Sequence, residues 1–303
     1  MTDRYRIVQA AFDPALMGPL EPDENALRVQ ARLSDDEYRY LAGLLASRPD
    51  AWLWLDNRSV DLEALEHFPG LRNLMVTSLR LETWAGIRHV AGSIEQLQMG
   101  DTTLKPVSIE PLGELSRITS LSLIGPVRNA EAIATLTGIV DLGLRSVTLD
   151  TLRCLLPMRQ LKSLRLLLGG TTDLNLLPEI LSLEELELWR IRGLRDLSVL
   201  GSLTGLRALA LQSMSAITAL PSFERLTGLR RVALDTMKGI TDLRPIAAAP
   251  NLEELLLVAM PQLSPEDLTP LVGHPTLRRG IWGLGSKKKN AAAYDLLPLE
   301  QRP

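Results

Sequence analysis

Residues 206–228 read LRALALQSMSAITALPSFERLTG, and residues 229–251 read LRRVALDTMKGITDLRPIAAAPN. Laid over each other, they agree in where the apolar side chains fall. Leu206, Leu209, Leu211, Met214, Ile217 and Leu220 stand against Leu229, Val232, Leu234, Met237, Ile240 and Leu243. The opening residues alternate, as a strand with one buried face does. Leu209 and Leu211 point one way, and Ala208, Ala210 and Gln212 point the other. Past the strand the apolar spacing becomes three, through Ile217, Leu220, Phe223, Leu226 and Leu229. A step of three suits a 3₁₀ turn or a short, tight helix.

The frame L-x-x-L-x-L extends outward from this pair along most of the chain. Its anchors are Leu71, Ile94, Ile118, Ile139, Leu161, Leu183, Leu206, Leu229, Leu252 and Leu277, with steps of 21 to 25 residues. A degenerate further unit precedes them, with Leu53 and Leu55 in the inward slots of AWLWLDN. One such unit cannot bury its own leucines, so neighbours must stack and the strands form a parallel sheet.

This pattern resembles the leucine-rich repeat family, with a likeness to the short-repeat subclass of internalins and phosphatase-regulatory scaffolds. The resemblance covers about residues 50–284. It implies an α/β repeat fold: a leucine-rich-repeat solenoid with a parallel concave β-sheet and 3₁₀ or short-helix convex returns. The expected organisation is an N-terminal segment with a capping helix at 1–49, a solenoid of about eleven units at 50–284 and a tail at 285–303. One departure stands out. The subclass usually carries asparagine three residues after the last strand leucine, and this chain has Val147, Ile191, Met214, Met237 and Met260 there. Apolar packing is expected to replace the asparagine ladder.

An open end of the leucine stack needs a cap. RLSDDEY (32–38) supplies a helix start, with Ser34 as N-cap, Glu37 completing a capping box, and Leu33 and Tyr38 at the staple positions. Tyr38, Leu41, Leu44 and Leu45 give one apolar helical face up to about Ser47. DPALMGPLEPDE (13–24) reads as irregular chain.

Composition narrows the function. Apolar residues make up 46% of the 303, aromatics only 4%, and the net charge is −3. There is no basic footprint for nucleic acid, so neither RNA binding through return-side arginines nor a membrane partner is expected. No apolar run reaches the ~18 residues of a membrane span. The single cysteine, Cys154, excludes an intramolecular disulfide and a cysteine-cluster metal site. A cytoplasmic, reducing setting fits. The excess of arginine over lysine and the abundance of alanine suggest a GC-rich bacterial genome.

Candidate chemistry is sparse. His67, His89 and His274 fall on the return or loop side, and no carboxylate sits beside both His67 and His89 in the repeat frame. Cys154 lies on an apolar return and reads as a buried structural thiol. GIWGLGSKKK (280–289) faintly echoes a phosphate loop, but Ser286 precedes Lys287, and no helix start is expected after it. Lys287, Lys288 and Lys289 read as a solvated tail, followed by a short helix candidate at AAAYDLL (291–297) and a proline-ended terminus. An enzyme would need a site on residues 1–50 or on the tail, where Asp13, Asp23, Asp35 and Asp36 have no histidine or cysteine beside them. No catalytic residue, metal site or cofactor is expected.

The stretch LEELELW (183–189) is more informative. If Leu186 and Leu188 point inward, Glu185, Glu187 and Trp189 point to the concave face. The register gives a row Ile124, Arg145, Leu167, Trp189, Gln212, Asp235, Val258. A middle row runs Gly143, Arg165, Glu187, Ala210, Ala233, and small residues there leave room for a ligand's side chains. Tryptophan and arginine dominate binding hot spots. The candidate partner-binding set is therefore Trp189, Leu167, Arg145, Arg165, Glu185, Glu187, Gln212 and Asp235; alternatively, Trp189 only packs on Leu167. Trp52 and Trp54 face the same side in the first unit, where the N-terminal cap is expected to cover them. Trp84 and Trp282 occupy core slots. The function that follows is a non-catalytic module recognising a protein or peptide on its concave face. An inhibitor, immunity protein or regulatory subunit acting on a toxin or an enzyme is the alternative.

Overall fold

The fold is described from a computed structural model, which covers residues 4–56, 62–78, 80–100 and 105–300. The chain forms two compact units, Met1–Val147 and Thr148–Pro303. Both are built from the unit expected: a short parallel strand followed by a tight return.

In the second unit the strands are β10 (Ser163–Leu167), β11 (Glu185–Trp189), β12 (Ala208–Gln212), β13 (Arg231–Asp235), β14 (Glu254–Val258) and β15 (Arg279–Trp282), paired in parallel in chain order with α2 (Arg244–Ala247) between β13 and β14. The register is the one the leucine frame requires: Leu186 lies beside Leu164 and Leu209, and Leu211 beside Leu234. The inward residues Leu186, Leu188, Leu209, Leu211, Val232, Leu234, Leu255 and Leu257 are at most 2% exposed. Burying a leucine fully stabilises by roughly 1.5–3 kcal/mol, and here that gain comes only from stacking on neighbours.

The returns follow the step of three. Leu152–Leu155, Leu177–Glu179, Ser198–Ser202 and Pro265–Leu271 are 3₁₀ turns. The 206–228 repeat, whose pattern is the clearest, has no helix in its return. It descends through separate turns closed by Ile217 N–H to Met214 O, Leu226 N–H to Phe223 O and Leu229 N–H to Leu226 O. Pro221 has no N–H to donate and disfavours a helical Leu220 before it.

The missing asparagine ladder is replaced as the sequence suggested. Val147, Ile191, Met214, Met237 and Met260 are all buried. The backbone supplies the rest. The residues that follow the last strand of the first unit and the first five strands of the second are left-handed and not glycine: Ser146, Leu168, Arg190, Ser213, Thr236 and Ala259 have φ between 49° and 59°. Leu168, Arg190, Ser213 and Thr236 each donate N–H to the strand-end carbonyl of the next repeat, at Trp189, Gln212, Asp235 and Val258.

The first unit contains α1 (Asp35–Ala46) with the expected Ser34–Glu37 capping box. It differs from expectation upstream. β1 (Arg4–Val8) and β2 (Glu24–Val29) are parallel strands that extend the sheet beyond β3 (Trp52–Leu55). The sheet continues through β4 (Asn73–Val76), β5 (Gln96–Met99), β7 (Ser120–Ile124) and β9 (Asp141–Arg145), while β6 (Val107–Ser108) and β8 (Val127–Arg128) form a separate pair. The 13–24 stretch, expected to be irregular, holds a 3₁₀ turn at Pro14–Leu16 before β2 begins. Helix α1 is the return between β2 and β3. It packs its Tyr38 ring on His67 at 5.6 Å and edge-on to Phe68 at 6.2 Å. The cap helix therefore does not cover Trp52 and Trp54, which are half-buried on the opposite face of β3.

At the other end, α3 (Lys287–Leu296) starts directly after Ser286, whose side chain accepts from Lys289 N–H. A helix start does follow the glycine-rich stretch, contrary to the sequence reading. Lys289 is no solvated tail residue, because its ammonium donates to the carbonyls of Pro261 and Leu263 at 2.8 and 2.9 Å.

Candidate binding site

The alternation of LEELELW carries over to side-chain direction. Leu186 and Leu188 fill the core, Glu185 is exposed, and Glu187 and Trp189 are half-buried on the open face of β11. Leu167 on β10 and Gln212 on β12 stand in register with Trp189, and Asp235 on β13 with Gln212. Arg165 lies opposite Glu187, and Ala210 and Ala233 follow in the same row. Opposite charges across a strand pair contribute about 0.2–1 kcal/mol. Seven of the eight candidate residues thus share one open face within the second unit. The eighth, Arg145, is exposed at the end of β9 in the first unit, in register with Ile124. The floor made by Ala210 and Ala233 is low beside the indole and acid side chains around it.

The same face of the first unit carries a group that the sequence reading did not assemble. The Arg28 guanidinium carbon lies 4.0 Å from the centre of the Trp54 ring, and Tyr5 meets that ring edge-on at 5.4 Å. Arg28 Nε donates to Asp56 at 2.6 Å, Gln30 Nε2 donates to the same oxygen at 2.9 Å, and the Trp54 indole N–H donates to Thr77 Oγ1. Stacking of this kind is worth about 0.5–1 kcal/mol where solvent reaches it. The signal was present in NALRVQ (25–30), where Leu27 and Val29 occupy the inward slots of the same L-x-L frame.

The histidines fall on the return or loop side as expected, whereas Cys154, read as a buried thiol, is only half-buried because the inward slots of its return are taken by Leu152 and Leu155. His67 stacks on Tyr38 and approaches Asp35 at 3.5 Å, and His274 Nε2 lies 2.9 Å from the Ala249 carbonyl. Among the described residues no three His, Cys, Asp or Glu side chains converge as metal ligands do. No helix among them is long and apolar enough to cross a membrane. Trp84 and Trp282 are core residues at 0% and 2% exposure.

One return-side cluster has a strong electrostatic signature. Glu63 accepts two bonds from Arg88, at 2.8 and 2.6 Å, and lies 3.0 Å from His89 Nε2. The Arg88 hydrogen bonds first, and the His89 contact second, pull the Glu63 carboxyl down to about 2 from the ordinary 4.5. A depressed carboxylate stabilises the fold above its unfolded value, and that stability is lost as pH falls through the folded value. Glu63→Gln is therefore expected to lower stability near neutrality and to flatten the acid limb, so that the two proteins converge as pH falls from about 4.5 toward 2. Because the pair is solvent-facing, the effect stays under about 1 kcal/mol. Urea unfolding of both proteins across that range checks it, and parallel acid limbs would refute it.

No protein-family model matches the sequence, and no curated protein does. Among solved structures, the internalin InlF of Listeria monocytogenes is similar at 16% identity and a TM-score of 0.58, with 85% of this chain and 78% of that chain covered. InlJ from Listeria monocytogenes is similar at 13% identity and a TM-score of 0.49, covering 85% of this chain and 57% of that one. A leucine-rich-repeat protein of Leptospira interrogans is similar at 15% identity and a TM-score of 0.41, covering 98% of this chain and 100% of that one. The InlF likeness is one of fold, and the chain described above has the leucine-rich-repeat fold.

Proposed function

We propose that this leucine-rich-repeat chain is a non-catalytic recognition module that binds a protein or peptide on the concave face of its strands. The observation that carries the reading is Trp189, a large aromatic half-exposed on an open sheet face with Leu167 and Gln212 in register on either side. Indole rings in such settings supply contact area at small entropic cost and dominate interface energetics. Leu167 extends the apolar centre. Arg165, Glu185, Glu187, Gln212 and Asp235 form a polar rim with both charge signs within the second unit. A rim of this kind selects partners and sets association rates more than it adds affinity. The partner is one that offers an apolar protrusion flanked by charge. A cytoplasmic setting in a bacterium is the working context, with a toxin or an enzyme held in check as the form of the activity.

Affinity capture from a cell lysate tests this, comparing wild type with Trp189→Ala by mass spectrometry. A protein held by the wild type and lost from the folded variant supports the reading. For that partner, truncation is expected to weaken binding by about 2 kcal/mol or more, some thirtyfold. A partner held equally by both moves recognition away from this face.

A further inference from the structure

The two ends of the sheet are finished differently. At β15 the edge is covered: Gly280 N–H donates to Glu300 O at 3.1 Å, and Glu300 N–H donates to Arg278 O at 3.0 Å. The segment after α3 thus supplies the hydrogen bonds a further strand would make. At β1 no strand pairs with the outer edge among the described residues. β1 is also apolar on its open face, with Tyr5 37% and Ile7 44% exposed. Unpaired strand edges with exposed apolar side chains are templates for another strand, and proteins usually blunt them.

We infer that β1 pairs antiparallel with β1 of a second copy of this chain, joining two sheets across a two-fold axis. In a parallel sheet, alternate residues direct their N–H and C=O to opposite sides. Val8 O accepts from Gln30 N–H on the β2 side, so Val8 and Arg6 face β2 and Tyr5 and Ile7 face outward; the pairing with β2 shifts register before Tyr5. Outward-facing residues are the ones that form hydrogen-bonded pairs with an antiparallel neighbour. A two-fold contact is self-complementary, so one strand edge serves both copies.

Charge selects the register. An axis through Arg6 sets Arg6 against Arg6 of the second copy, and an axis through Tyr5 sets Arg4 against Arg6. Like charges directly opposite are unfavourable. An axis through Ile7 pairs Ile7 with Ile7 of the second copy, Arg6 with Val8 and Tyr5 with Gln9. Gln9 still runs alongside β2, donating to Gln30 Oε1 at 3.3 Å, so the strand direction persists that far. Tyr5 then reaches Ile7 of the second copy on the diagonal, within range of an aromatic ring. Arg6 causes no conflict on the inner side, where Glu24 and the carbonyls of Gly18 and Pro19 hold it. A contact this short sits at the small end of protein interfaces, so the dimer is concentration-dependent.

Sedimentation equilibrium on the full chain over about a hundredfold dilution decides the matter. Wild type is expected to move from the 33.4 kDa chain mass toward twice that mass as concentration rises. Ile7→Lys places a charge on an exposed edge residue without touching the core, and is expected to weaken the dimer at least about tenfold. Wild type remaining at the chain mass throughout overturns the inference. So does an Ile7→Lys dimer as tight as wild type, which would locate the contact elsewhere.

Discussion

Gly239→Ala is expected to destabilise the fold by about 3 kcal/mol or more, a large loss for the addition of one methyl group. A Cβ built at Gly239 would lie 2.2 Å from the Ile217 carbonyl oxygen and 2.8 Å from the Ser215 carbonyl oxygen. Both obstacles are backbone, so no rotamer change relieves them. The turn after β13 must lift off the turn below. Ile240 N–H, bonded to Met237 O at 3.0 Å, and the paired bonds of Gln262 Nε2 to Met237 O and Ile240 O at 2.9 Å would move with it. Urea unfolding gives the number. A loss under about 1 kcal/mol would show that the turns slide past one another and that their stacking is not rigid.

Trp282→Ala should be as damaging, for a different reason. The indole is 2% exposed and lies over Gly280, where an added Cβ would fall 2.5 Å from the ring. Removing a fully buried tryptophan costs about 3–5 kcal/mol through lost contacts and the cavity left behind. The loss also reaches α3. Tyr294 packs on Trp282 at 6.1 Å between ring centres and accepts from Trp282 N–H at 3.4 Å, and Asn290 Oδ1 accepts from Leu284 N–H at 2.8 Å. Without the indole, α3 loses its apolar anchor, and the Glu300 bridge that covers β15 goes with it. Hydrogen exchange should report this as faster exchange across 280–300. The indole N–H has no partner among the described residues. Trp282→Phe removes that unpaired donor, whose burial costs about 1–3 kcal/mol, and should be milder than the alanine variant by more than ring size suggests. Equal losses for both variants would contradict this.

The repeat was legible because its signal is redundant. Each leucine that reads as inward in one unit is checked by the equivalent in the next, and the register from Leu167 through Trp189 to Asp235 follows from that alone. The extra strands β1 and β2 were not legible. RYRIV is too short and too charged to announce a strand, and the 13–24 segment between the two carries prolines in place of a helical pattern. The face over Trp54 was missed for the same reason, since Arg28 and Tyr5 are separated from it by 26 and 49 residues and only strand pairing brings them together. Ser286 was discounted because a phosphate-loop order was sought in it, although serine before a run of good helix formers is an ordinary N-cap. The candidate set around Trp189 was legible as a geometric row, and a partner for it was not, because a partner's chemistry is not written in this chain.

The left-handed residues at the strand ends bear on how such a chain can change. In a turn held by a side-chain ladder, the ladder residue is fixed and its neighbours must accommodate it. Here Arg190, Ser213 and Thr236 close their turns through main-chain N–H bonds to the next repeat, and the Thr236 hydroxyl adds a bond to its neighbour Asp235. Their side chains are as unlike as a cation, a small hydroxyl and a branched hydroxyl, yet the backbone is the same. The row bordering Trp189, Gln212 and Asp235 is thereby released from holding the fold together. Under the proposed function, substitutions in that row would retune recognition while the scaffold beneath stays as it is, a separation of inheritance between frame and rim.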